Sequence, residues 1–193
     1  RGPMREPGWN HSLVESRPIS IPCRLILDPP RSGAWNMAVD EVLLESAVDG
    51  ELPCLRFYFW TPATVSLGYF QPVGAVSECP SARNCPVVRR ASGGGAIIHD
   101  NELTYSLSVG PADVEAFGRL RLYRIMHETL VEALSRFGVR AELCGEAKAP
   151  SPFLCFQRHY DTDVLVGKVK IAGSAQRRRE GAVLQHGSVL LRR

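Results

Sequence analysis

The feature that most constrains this 193-residue chain is a succession of short, strand-like apolar segments interrupted by only two long helical patterns. Arg24 to Asp28, Cys54 to Trp60, Ala63 to Leu67, Pro86 to Arg90, Ala96 to His99 and Leu103 to Val109 read as strands bounded by turn residues. Further strands are expected at Val139 to Leu143, Asp163 to Val166, Val169 to Ala172, Ala182 to Leu184 and Ser188 to Leu191. The first helical pattern places Trp35, Ala38, Val39, Val42, Leu43 and Ala47 on one face, leaves Asp40, Glu41 and Glu45 to solvent, and ends at Gly50. The second starts at Val114 or Arg119 and repeats apolar residues at three- and four-residue steps from Leu122 to Phe137. A regular βαβ repeat is missing. The pattern predicts an α+β fold in which a mixed, largely antiparallel sheet carries helices.

Hydrophobic residues make up 45% of the chain, enough for one buried core. Residues 1 to 22, with several prolines and glycines and no sustained period, read as a flexible N-terminal arm ahead of one domain over residues 23 to 193. No apolar run approaches the roughly 20 residues that span a bilayer, and the N-terminus lacks the charged-then-apolar order of a signal peptide. The expectation is a cytoplasmic protein with no membrane partner. A net charge of +3 is too small to imply nucleic acid; Arg177, Arg178 and Arg179 read as a solvated turn or as a contact for an acidic protein. Six cysteines without a C-x-x-C pair fit neither a zinc site nor a dense disulfide framework. They read as reduced thiols, with room for one reactive exception.

The chemistry-bearing segment that stands out first is Arg89-Arg90-Ala-Ser92-Gly93-Gly94-Gly95-Ala-Ile-Ile-His99-Asp100. Three consecutive glycines cost backbone entropy and supply no packing, so they belong where the main chain must turn tightly or approach another group. Their N–H groups suit a phosphate, a carboxylate or a developing oxyanion, and the arginines add charge. The segment lacks the Gly-Lys-Ser/Thr ending of a P-loop and the spaced glycines of a dinucleotide fingerprint. A tight hairpin between Pro86 to Arg90 and Ala96 to His99 accounts equally well for the glycines taken alone. Adjacent strand residues face opposite ways, so at most one of Arg89 and Arg90 is expected to enter a pocket.

A second dense region holds Cys155-Phe156, then Lys170-Ile-Ala-Gly173-Ser174-Ala-Gln176, then Leu184-Gln-His186-Gly-Ser188. Together with Trp35-Asn-Met-Ala-Val-Asp-Glu41, Thr64-Val-Ser-Leu-Gly-Tyr-Phe-Gln71, the glycine segment and Glu102-Leu-Thr-Tyr-Ser106, these blocks resemble, in order, the lipoate-protein ligase and octanoyltransferase family. That family shares its catalytic fold with biotin protein ligases. The Glu-Leu-Thr-Tyr-Ser and Leu-Gln-His-Gly-Ser blocks look more like its cysteine-dependent octanoyltransferase branch.

The resemblance implies that Cys155 carries the acyl group and that Lys170, immediately before Ile-Ala-Gly-Ser, is the family's lysine. It implies substrate binding by Arg89, Arg90, Ser92, Gly93, Gly94, Gly95, His99, Gly173, Ser174 and His186, with Ser92 standing where threonine is common. The implied reaction moves an octanoyl group from acyl carrier protein to a lysine of a lipoyl-domain protein of the glycine-cleavage H-protein type, by a monomer and without a cofactor. An ATP- and Mg²⁺-dependent lipoate ligase is the alternative, and a non-catalytic acyl-binding module is the second. Relatives continue past the position of Arg193, so the domain is expected to be truncated there.

The chemistry asked of these residues is simple. A thioester already stores the energy of amide formation, so a thiol nucleophile suffices and two half-reactions are expected. Lys170 would favour the thiolate, and the N–H groups of Gly93 to Gly95 or of Gly173-Ser174 would stabilise an oxyanion. His99, His159 and His186 are proton carriers or structural residues. Ala96 to Ile98, Tyr69 and Phe70 are expected to line the acyl pocket.

Overall fold

The computed structural model describes residues 21–82, 84–145 and 160–191. Ten strands and three α-helices follow in the order β1 (Arg24–Leu27), α1 (Gly33–Val48), β2 (Cys54–Tyr58), β3 (Thr64–Leu67), β4 (Val87–Arg89), β5 (Ile97–His99), β6 (Glu102–Val109), α2 (Pro111–Phe117), α3 (Arg119–Arg136), β7 (Glu142–Leu143), β8 (Val164–Val166), β9 (Val169–Arg179) and β10 (Ala182–Leu190). Two short 3₁₀ helices, Val73–Glu78 and Pro80–Ala82, join β3 to β4.

Seven strands form the main sheet in the order β1-β2-β6-β10-β9-β8-β7, and three form a second sheet in the order β4-β3-β5. Among the described strands only β1–β2 and β3–β4 are parallel pairs, which matches the expected mixed, largely antiparallel α+β fold. The central strand β10 is buried on both faces because helices cover both. On one face Ala182 and Leu184 pack against Leu44 and Ala47 of α1. On the other, Val183 meets Val114 and Leu122, while Val189 joins a cluster reached by Leu130, Val131 and Leu134 of α3. Among the described residues, no helix is long and apolar enough to cross a membrane.

Several expectations needed correction. The buried face of α1 is Gly33, Asn36, Met37, Asp40, Leu43, Leu44 and Ala47, while Trp35 and Val42 are exposed. Asp40 therefore points inward, because β2 presents the fully buried Arg56, whose Nη1 donates to Asp40 Oδ1 at 3.0 Å. The second helical pattern starts at Arg119, the later of its two expected positions, because Gly118, with φ of 79°, ends a separate helix α2 that contains Val114. The pair of strands expected over Ala182 to Leu191 is one strand, in which Gly187 leaves the space that the Tyr105 ring occupies. Likewise β9 does not stop at Ala172 but runs to Arg179, so Arg177 to Arg179 end a strand rather than form a turn. Of the segment Val139 to Leu143 only Glu142–Leu143 pairs.

The glycine segment is no hairpin. β4 and β5 flank β3 on opposite sides, one parallel and one antiparallel, so residues 90 to 96 must cross over the C-terminal end of β3. That crossing explains Gly68 at the end of β3: a methyl there would overlap the carbonyl oxygen of Gly94. Gly94 itself has φ of 94°, a conformation that costs glycine little and other residues much.

Candidate functional site

The crossing loop is held from beneath by Arg90, and the turn that follows β3 by Arg89. Arg90, 3% exposed, donates through Nη1 to the Ser66 carbonyl and hydroxyl, both at 3.0 Å, and through Nη2 to the carbonyls of Gly93 at 2.8 Å and Gly95 at 2.6 Å. Arg89 faces the other way, as strand alternation requires, and its Nη1 donates to the carbonyls of Gly68, Tyr69 and Gln71. Both cations thus shape main-chain loops. Among the described residues the N–H groups of Gly93 and Gly94 have no hydrogen-bond partner, which leaves them for a ligand oxygen.

His99 and His186 border the space above this loop, with His127 behind Ser174, and each imidazole accepts a hydrogen bond from a serine hydroxyl. His99 donates through Nδ1 to Glu102 Oε1 and accepts at Nε2 from Ser66, 2.7 Å away. His186 accepts at Nε2 from Ser92, with Nδ1 3.5 Å from Asp40 Oδ2. His127 donates through Nδ1 to the Thr162 carbonyl and accepts at Nε2 from Ser174 at 3.0 Å. These tautomers follow from the partners: a carboxylate or a carbonyl can only accept.

The electrostatics agree with neutral His99 and His127 rings against ionised carboxylates. Burial, the largest influence, holds His99 below the usual histidine range despite Glu102, and it depresses His127 likewise. For Asp40 and Glu102 burial pushes upward. It is outweighed at Asp40 by His186, Arg56 and Ser106, and at Glu102 by His99, Ser188 and Thr104, so both stay below the usual carboxylate range. Trp60 stacks on the His99 ring at 3.8 Å and donates through Nε1 to Thr104 Oγ1 at 2.7 Å, which fixes that wall.

Opposite the loop, Lys170 Nζ lies 2.7 Å from Asp163 Oδ2, with the two side chains 1% and 3% exposed. A buried ion pair is a poor source of stability, since desolvation offsets much of its Coulomb gain, and its retention points to a use for the ammonium. The geometry depends on Gly173. The β8–β9 register shifts between Val164 and Leu165, and Ile171 has no opposite residue, so Lys170 and Gly173 come onto one face. A methyl on Gly173 would stand 2.7 Å from Lys170 Cε.

These parts enclose a cavity of about 830 Å³. Of the residues expected in a site, Lys170, Gly173, Ser174 and His186 line it from the main sheet, and Arg90, Gly93, Gly94 and His99 line it from the small sheet and its loop. Ser92 and Gly95 are buried behind the loop, and Arg89 lies outside the cavity. Ile97 also lines it, whereas Ala96 packs in the small-sheet core with Val65 and Leu67, and Ile98 packs against that core. Tyr69 and Phe70 border an adjoining recess. Cys155, Phe156 and His159 lie outside the described residues. Gly145 and Tyr160, the described residues on either side of 146–159, both line the cavity.

Asp163 lines the cavity without having been singled out for it, and Asp40, Glu102 and His127 stand behind it as partners of the lining residues His186, His99 and Ser174. For Asp40 the sequence held only a spacing: Asn36 and Asp40 continue the three- and four-residue steps of Leu43, Leu44 and Ala47. His127 meets Thr162 and Ser174 across 35 and 47 residues, and Asp163 meets the nearby Lys170 only through the β8–β9 register shift, so the chain offers no local mark for either.

The comparisons with known proteins agree with this architecture. The chain is 41% identical over 179 residues to the octanoyltransferase LipM of Kyrpidia tusciae and 37% identical over 176 residues to that of Clostridioides difficile. In both cases the match covers 87% of this chain and 65% of the relative, so the chain spans just under two thirds of their length. A Thermoplasma structure with bound lipoic acid, described as a lipoate protein ligase of T. acidophilum, superposes with a TM-score of 0.72 at 30% identity, covering 88% of this chain and 67% of that one. Residues 32–192 match the pattern of the lipoyl protein ligase A/B catalytic domain, and the chain belongs to that family.

Proposed function

We propose that this protein transfers an octanoyl group from the thioester of acyl carrier protein to a lysine of a lipoyl-domain acceptor of the glycine-cleavage H-protein type, acting as a monomer without a cofactor. The observation that carries this reading is the buried Lys170 ammonium at the wall of an 830 Å³ cavity, with both described ends of the segment that holds Cys155 on the same cavity. In the first half-reaction the Cys155 thiolate attacks the thioester carbonyl, and the carrier thiolate leaves and takes up the proton. In the second the acceptor amine attacks the Cys155 thioester, the Cys155 sulfur leaves, and the amine loses its proton as the amide forms. Lys170 favours the thiolate in each step. The N–H groups of Gly93 and Gly94 are the oxyanion donors.

Incubation with octanoyl carrier protein followed by intact-mass analysis tests the reading. A hydroxylamine-sensitive octanoyl adduct is expected on the wild type and not on Cys155→Ala, whose transfer rate should fall more than about 100-fold. Unchanged transfer by Cys155→Ala sinks the thiol mechanism. The likeness to a lipoate protein ligase with bound lipoic acid favours a second reading, ATP-dependent ligation of a free acid with Mg²⁺. Strict dependence of acceptor modification on ATP would establish it.

A further inference from the structure

Beside the main cavity, and sharing Gly93, Tyr123 and Gln176 with it, lies a recess of about 310 Å³ walled by Tyr69, Phe70, Arg177 and Arg178. Within the fold, Arg178 Nη2 donates to Gln176 Oε1 at 3.3 Å, and the Tyr69 and Phe70 rings meet edge to face with centroids 5.1 Å apart. Phe70 is 86% exposed and Tyr69 46%. Among the described residues neither Arg177 nor Arg178 has a carboxylate within ion-pair distance, whereas their neighbour Arg179 reaches both Glu45 and Glu180. The Arg177 guanidinium lies 5.1 Å from the centre of the Tyr69 ring, a contact that orients the cation without neutralising it. Two such guanidinia beside exposed aromatic rings suit an anion, above all a phosphate, at the end of a partly apolar arm.

The distance from the reacting centre selects the arm. Lys170 Cε and Nζ crowd the position of a Cβ on Gly173, so the ammonium lies over that residue. Gly173, Ala175 and Arg177 alternate onto one face of β9, and the first two are small and line the main cavity. From Gly173 to Arg177 is four residues of one strand, about 13 Å. The pantetheine arm of an acyl thioester has roughly thirteen bonds between sulfur and phosphorus, the length of about four extended residues, or about 15 Å.

We propose that the recess binds the phosphate of a phosphopantetheine arm, so that the protein reads its acyl donor both at the thioester and at the phosphate. The inference rests on the thioester-transfer reading above. The same arm is carried by acyl carrier protein and by coenzyme A.

Calorimetric titration of the full chain with S-octanoyl-4′-phosphopantetheine and with S-octanoyl-pantetheine tests it. The phosphate should tighten binding at least about tenfold in the wild type, as charge-assisted hydrogen bonds do. In Arg177→Ala/Arg178→Ala the two ligands should bind alike, with the affinity for octanoyl-pantetheine unchanged, and Arg179→Ala should behave as wild type. If the double variant loses affinity for both ligands, the exposed Arg178→Gln alone is measured by the same criterion. No gain from the phosphate in the wild type, or a gain that survives the arginine substitutions, overturns the proposal. Turnover separates it from the parent reading. A phosphate gain that depends on the arginines without acyl transfer from any thioester sinks the transfer reading and leaves the recess. Transfer without a phosphate gain does the reverse. Parallel assays with octanoyl carrier protein and octanoyl-CoA show which source supplies the arm.

Discussion

Gly173→Ala is the most informative single substitution, because it acts on the site through one methyl group. The added carbon would stand 2.7 Å from Lys170 Cε, 2.9 Å from Lys170 Nζ and 3.0 Å from Asp163 Oδ1, where ordinary contact begins near 3.4 Å. These atoms must therefore withdraw by about 0.4 to 0.7 Å. They are the far ends of side chains, so the strand need not move, and the overpacking should cost no more than about 1–3 kcal/mol. For a domain of this size that lowers Tm by roughly 2–12 °C. The ammonium cannot keep its place, and misplacing a reacting group on the scale of 1 Å costs about 100-fold. If the proposed octanoyl transfer uses this ammonium, kcat/KM should fall roughly 10- to 100-fold, with a cooperative melt retained. Gly93→Ala is the control for stability, since nothing lies within 4 Å of its added methyl; it should leave Tm almost unchanged. Wild-type turnover and an unshifted Tm for Gly173→Ala would refute the argued packing of Lys170 over Gly173.

Other consequences follow from the same network. Asp40→Asn removes the charge that faces the fully buried Arg56 and weakens the acceptor of Ser106, Tyr58 and His186; chemical denaturation should show a loss of about 3–5 kcal/mol. A loss below about 1 kcal/mol would mean that Asp28, 2.7 Å from Arg56 Nε, suffices as its counterion. Stability should also fall on mild acidification. His99 and His127 have folded-state pKa values below the 6.5 of the unfolded chain, so the unfolded chain binds more protons as pH drops below that value. Their contribution is fully present above pH 6.5 and is lost as pH falls through the folded-state values. Melting curves between pH 8 and pH 5 should show this decline, and His127→Gln should flatten it; a flat profile for the wild type would contradict neutral burial of these rings.

The strands and both helical patterns were legible in the chain because alternation and three-four periodicity are local properties. The α+β class followed from their order, and the site's blocks were legible as a family resemblance. Register and orientation were not. Whether Asp40 faces water or protein depends on Arg56, sixteen residues away on β2, and a helical wheel holds no knowledge of that cation. The glycine triplet taken alone fits a hairpin, and only the position of β3 between β4 and β5 makes it a crossing loop held by Arg90. The extension of β9 through Gly173 and Ser174 to Arg179 reflects pairing with β10, which overrides the weak strand preference of small residues. Sequence alone determined which residue types are present and which local structures they favour. Tertiary structure decided which of them meet, because burial, bulges and charge pairing are set by neighbours that are distant along the chain.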